Sequence, residues 1–345
     1  MKAVTAPERS LAGLARSLRA AIVVPSLFAL ALFVFKQPEL AGSAVFGTFA
    51  HQVLVNYDAA GKVRSVQSAM LTALGAIMLA LGTLASGSAW LAVSGAIVVG
   101  FLSDVPLLTG SRIAAILRAL LLAFMLAVVV PAPSSSVLPY LAGWLIAGII
   151  AQPTLFLVWI PLATADEAHS GDVGAKSTPP NDGSNWSEHA VRSGLALGFA
   201  VLLSRLLKVE HGFWVVLGVL PVLSASGGSV VRAFWQEQAG TLMGFLASAV
   251  VVAIIGPHQA WYWSILPFVV FGSTFASAVS LMAGQATFTL FAVVLFCILL
   301  PQQTEAGLLR LEDIAIGGAI SFAVGALLRL GERGSERRMR SAVKA

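Results

Sequence analysis

The chain has 345 residues, of which 11% are charged and 58% hydrophobic, and its mean hydropathy is +0.88; a water-soluble globule carries roughly 25% charged residues. Too little polar surface is present to face water, so the solvent must be lipid, and apolar stretches near the ~20 residues needed for one bilayer crossing recur along nearly the whole sequence. The formal charge of +5 does not point to nucleic acid, because the basic residues flank apolar stretches, and the one cysteine, Cys297, excludes an intrachain disulfide.

The expected fold class is an all-α polytopic membrane protein with about twelve transmembrane helices. Spans are predicted over 18–35, 40–56, 67–85, 90–105, 111–130 and 137–160 in the first half. In the second half they fall over 190–207, 212–225, 238–256, 260–275, 282–300 and 313–330. The first follows Lys2, Arg9, Arg16 and Arg19 but is followed by no small-residue cleavage site, so it is read as a retained span. Twelve spans put both termini on one side. If that side is cytoplasmic, 17 of the 21 Lys and Arg lie inside and only Lys36, Arg205, Lys208 and Arg310 outside, as the positive-inside rule requires. Trp90, Trp214, Trp261 and Trp263 then mark outer ends, and Trp159 and Trp235 inner ends.

The segment 165–189 is rich in Gly, Pro, Ser, Asn and Asp without a hydrophobic period, and is read as a flexible cytoplasmic linker. Asp166, Glu167, His169 and Asp172 in it lack regular ligand spacing, so no metal or other cofactor is expected. The linker divides the chain into a basic N-terminus (1–17), a first six-helix unit (18–164), a second (190–330) and a basic tail (331–345). The two units echo each other. Lys36 aligns with Lys208, Ala89-Trp90 with Ala260-Trp261 and Pro131 with Pro301, at offsets of 172, 171 and 170. Gly61 with Arg64 matches Gly228 with Arg232 in the loop after the second span. Six is even, so the copies insert in the same orientation, related by a pseudo-twofold axis along the membrane normal, with a pathway expected at their seam.

No phosphate loop, metal spacing, nucleophile elbow or triad is present, and the expectation is that the chain is not an enzyme. Ionisable groups within spans are costly in lipid and mark cavities or partners. Arg118, about seven residues into the fifth span, either lines a cavity or snorkels to the headgroups; Arg112 lies nearer the surface. Asp104 is a partner for these arginines, a proton carrier or a solvated helix end. His51 either titrates in the working range or is a hydrogen-bonded packing residue. Arg205 and Lys208 are read as snorkelling at an outer end, and Gln285, Thr287 and Thr289 as a polar stripe between helices. The tract 221–229, with Pro221 and the Gly227-Gly228 pair, is either an ordinary turn or a broken helix lining the pathway.

The stretch 192–244, continued to Leu328, resembles the fusaric acid resistance protein-like (FUSC) membrane domain, found in aromatic acid exporters and related to plant aluminium-activated malate transporters. The matching features are Arg192, then His211-Gly212-Phe213-Trp214, then Gly227-Gly228 with Arg232, Gly240-Thr241 with Gly244, and Asp313 with Gly317. The resemblance implies export of organic, typically aromatic or other carboxylic, anions between two six-helix units. It also implies basic residues at the pathway, which Arg118, Arg112, Arg64 and Arg232 would supply, and a periplasmic adaptor of the membrane-fusion type as partner. The chain lacks the soluble regions many relatives carry, and its first half lacks the Trp and the Gly-Gly turn. The expectation is an inner-membrane secondary exporter of small organic acids, with Asp104 or His51 coupling protons; the alternatives are a passive anion channel and a membrane scaffold subunit.

Overall fold

The computed structural model describes residues 6–54, 62–105, 111–129, 132–157, 186–207 and 229–299, with isolated positions among 212–219 and at 316 and 320. Among them all regular structure is helical and no strand occurs. The helices are α1 (Ala6–Ala29), α2 (Pro38–Phe49), α3 (Lys62–Ser86), α4 (Ala89–Asp104) and α5 (Ser111–Val128). They continue with α6 (Val137–Leu157), α7 (Trp186–Leu206), α8 (Ser229–Ile255), α9 (Gln259–Ser277) and α10 (Leu281–Leu299). Among the described residues, five stretches are long and apolar enough to cross a membrane: 13–35, 65–86, 134–154, 234–255 and 281–299.

Local chemistry sets the breaks. α1 runs past Pro25 into a π-helical turn, Leu30–Phe35, which ends where Lys36 takes a left-handed conformation (φ 55°). Gln37 is extended, and Pro38, lacking an N–H, opens α2 where that donor would be unused. α2 in turn widens into a second π turn, Ala50–Leu54. Gly256 at φ 60° ends α8, and Tyr262 OH donates to its carbonyl across the turn (3.0 Å).

Lipid offers apolar surface as readily as a neighbouring helix does, so association depends on close packing and small residues rather than on escape from water. α4 lays Ala92, Ala96 and Gly100 against α7. A Cβ on Gly194 would stand 2.7 Å from the Ile97 carbonyl, and one on Gly100 3.0 Å from Gly194 Cα, so the helices run nearly backbone to backbone. The α8–α10 pair is built the same way: Gly240 and Gly244 face the Met282 and Ala286 carbonyls. α1 packs on α2 and α6 of its own half and also lays Ala20, Val24 and Phe28 against Tyr262, Leu266 and Val270 of α9. α3 packs on α5 and α6 around Trp144, which is fully buried. The chain thus crosses over twice: α1 reaches α9, and α4 holds α7.

Candidate functional site

The hairpin α3–α4 and the antiparallel approach of α4 to α7 bring the start of α3, the end of α4 and the starts of α5 and α7 to one end of the bundle. Arg19 bonds Gln52, Gln52 bonds Thr154 and Ser65 bonds Gln152, which puts the start of α1 at that end. Phe28 of α1 meets Trp263 near the start of α9 (ring centroids 5.2 Å apart), which puts the start of α8 there too. Arg64 and Arg112 therefore stand in the first turns of α3 and α5, Asp104 closes α4 half-buried, and Arg232 is exposed in the first turn of α8. The topology gathers these charges at one end without stacking them in one element. Gly227 and Gly228, like most of the tract 221–229 and the linker, lie outside the described residues.

Arg118 is half-buried, two turns into α5. One turn further on, Leu122 and then Leu126 meet Ala292 of α10 in a cluster with Phe46, Phe288 and Phe296. Every member except Ala292 is only half-buried, although the cluster sits where α2, α5 and α10 converge. Phe49, Phe288 and Phe291 continue the aromatic lining, with centroids 5.4 Å (Phe49–Phe288) and 5.9 Å (Phe288–Phe291) apart. This arrangement is a cation next to an apolar, aromatic seam. It suits a ligand with a charged end and an apolar body.

His51 is fully buried in the second π turn. Its Nδ1 lies 2.8 Å from the Gly47 carbonyl oxygen and its Nε2 3.0 Å from Thr72 Oγ1. The Trp144 ring stands 5.8 Å away, and the indole N–H donates to the Thr72 carbonyl (3.0 Å). The next residue, Gln52, also buried, accepts from Arg19 of α1 and donates to Thr154 of α6 (2.9 Å). His51 is hydrogen-bonded through both ring nitrogens in a polar knot tying α1, α2, α3 and α6, an arrangement that serves packing and does not exclude titration. Arg118 and Asp104 are placed on other elements.

Several residues take roles the sequence did not disclose. Arg205 does not snorkel: its Nη2 donates to the Ser86 carbonyl (2.7 Å) and the Val128 carbonyl (2.8 Å), closing the ends of α3 and α5 from a third helix. Those carbonyls have no partner within their own helices, which is why a cation is held there. Thr287 and Thr289 turn their hydroxyls back to the carbonyls of Ala283 and Gln285 (both 2.8 Å), and Gly244 of α8 lies against Thr289. Glu237 was placed just before a span predicted from 238, but α8 begins at Ser229, and Glu237 sits fully buried in its third turn beside Thr241. A helical period traced back from Gly240 and Gly244 would have found it. Among the described residues no group of His, Cys, Asp or Glu is arranged to hold a metal.

Length, composition and the five apolar helices define a multi-pass helical membrane protein. Residues 199–324, a little more than a third of the chain and all in its second half, match the family model described as fusaric acid resistance protein-like. The matched region takes in Arg205, all of α8 to α10 and their glycine contacts. No curated protein and no solved structure matches the chain.

Proposed function

We propose that the chain is an inner-membrane secondary exporter of small organic acids, aromatic or other carboxylates, which pass along the seam between two parallel six-helix repeats. The observation that carries this reading is Arg118, a half-buried cation one helical turn from the aromatic seam where α5 meets α10. The guanidinium draws a carboxylate to the mouth of the seam, and Phe46, Phe288 and Phe296 offer faces to an apolar body. Arg64, Arg112 and Arg232 at the same end add positive potential, and that end is the cytoplasmic one in this reading, with both termini.

The packing supports the repeats, 18–164 and 190–330, joined by the linker 165–189. Ser17, Ala20, Val24 and Phe28 are buried on α1, and Ala190, Ser193, Leu197 and Val201 on α7, each 173 residues on. The π turn at Leu30–Phe35 accommodates one extra residue, which accounts for the step to 172 at Lys36 and Lys208. Ala92, Ala96 and Gly100 of α4 pair with Tyr262, Leu266 and Val270 of α9 at 170, shifting the Ala89-Trp90 alignment by one residue. The same 170 relates Leu122 to Ala292 and Leu126 to Phe296, so the seam lies where equivalent faces of α5 and α10 meet. The crossed contacts, α1 with α9 and α7 with α4, are what a twofold exchange produces.

The test is efflux of labelled benzoate-type acids from liposomes holding the purified protein. Wild type exports them, and Arg118→Ala loses about tenfold to a hundredfold, the equivalent of one charge-assisted hydrogen bond of ~1.5–3 kcal/mol. No efflux across a broad acid panel overturns export; equal efflux from Arg118→Ala removes Arg118 from the pathway. Sustained currents that reverse at the anion equilibrium potential, without response to a pH gradient, replace the carrier with a channel.

A further inference from the structure

We propose that His51 and Thr72 together form the proton-coupling site of this exporter, with the Thr72 hydroxyl as a rotor that serves the imidazole in both protonation states; this rests on the export reading above. The Gly47 carbonyl can only accept, so the nitrogen 2.8 Å from it, Nδ1, carries a hydrogen whether the ring is neutral or charged. The proton that comes and goes is therefore on Nε2. Thr72 Oγ1 lies 3.0 Å from Nε2 and 2.8 Å from the Ser68 carbonyl oxygen. With the ring neutral, the hydroxyl donates to Nε2. When Nε2 takes up a proton, the hydroxyl hydrogen swings to the Ser68 carbonyl and the hydroxyl oxygen accepts from Nε2–H. One proton is gained, one hydroxyl turns, and no heavy atom has to move.

The surroundings hold the rotor in place. Gly148 of α6 leaves the space that the Thr72 side chain fills; a Cβ there would collide with it. Trp144 fixes the Thr72 backbone through its indole N–H and covers the imidazole. The π turn, a one-residue widening often found at functional sites, sets His51 facing α3 and Gln52 facing Arg19 and Thr154. The charged groups that the surrounding elements carry at this end are Glu8, Arg9, Arg16 and Arg19 on α1, Lys62 and Arg64 on α3, and Arg112 and Arg118 on α5; α6 carries none, and its titratable group is Tyr140. The one carboxylate among them, Glu8, stands three helical turns before Arg19, about 16 Å along α1 at ~1.5 Å per residue, so the imidazolium is held by the Gly47 carbonyl and Thr72. Asp104, on α4, belongs to none of these elements.

Two readouts test the switch in the full chain. In nitrogen-15 histidine spectra of the protein in nanodiscs, with His51→Gln identifying the His51 signals, Nδ1 stays protonated at every pH. Nε2 alone gains a proton as the pH falls. Thr72→Val abolishes that titration and Thr72→Ser restores it. In liposomes, His51→Gln and Thr72→Val keep downhill acid efflux but lose its acceleration by an imposed pH gradient, and Thr72→Ser regains it. A neutral Nε2–H tautomer, no titration in wild type, or a Thr72→Val variant that titrates and accelerates like wild type overturns the proposal. Wild-type efflux indifferent to the pH gradient overturns coupling at His51 and leaves export standing. An intact spectroscopic switch with no efflux supports the rotor and strikes the export reading instead.

Discussion

Arg205 joins three helices through one side chain: it grows from α7 and donates to the terminal carbonyls of α3 and α5. Replacing it by Ala leaves both carbonyls to water and costs about 1–2 kcal/mol in all. The measurable result is a lower melting temperature in detergent, with Arg205→Lys intermediate because an ammonium cannot reproduce the planar guanidinium fork. From sequence Arg205 is an arginine two residues from a helix end, and nothing along α7 tells which other helix ends will lie beside it. Glu237 escaped notice for a different reason: hydropathy begins the span at the first sustained apolar run, whereas the helix begins about two turns earlier. His51 was visible as a histidine inside a span. Its partner Thr72, 21 residues on, was not, because only the packing of α2 on α3 makes them neighbours.

At the level of the helices, spans were legible wherever an apolar run exceeded bilayer thickness, as in 65–86 and 281–299. Breakers mark the boundaries of others, Pro38 at the start of α2 and the Gly256-Pro257 pair between α8 and α9. The two π turns were not legible, since a widened turn leaves no mark in composition. Helix pairing was legible only in part. Small residues on α7 advertise a close contact but not its partner, which is α4. Gly194→Leu forces the two backbones apart, and overpacking of this kind costs typically 1–3 kcal/mol. Thermal unfolding should fall accordingly, whereas Gly272→Leu, with open space where its Cβ would lie, should change little.

For the whole molecule, composition alone named the solvent, and the repeated landmarks Lys36 with Lys208 and Pro131 with Pro301 hinted at a duplication. The crossed packing was beyond reach, because equivalent helices carry the same pattern whether they close on their own half or on the other. That packing makes a definite prediction for segments 1–175 and 176–345 produced as two polypeptides. Made together they copurify through the α1–α9 and α4–α7 contacts; made alone, each leaves one helix and one small-residue face without its partner and is degraded. Independent stability of either segment would contradict it.

The exchange of α1 also sets a timetable for biogenesis. α1 is among the first helices to leave the ribosome, yet its packing face waits for residues 259–277, some 230 positions later. At synthesis rates of ~5–20 residues per second that wait is roughly 10 to 50 s. During it, the face of Ala20, Val24 and Phe28 stands beside lipid or beside whatever insertion machinery shields it. A protein built this way depends on its membrane insertase for time as much as for topology.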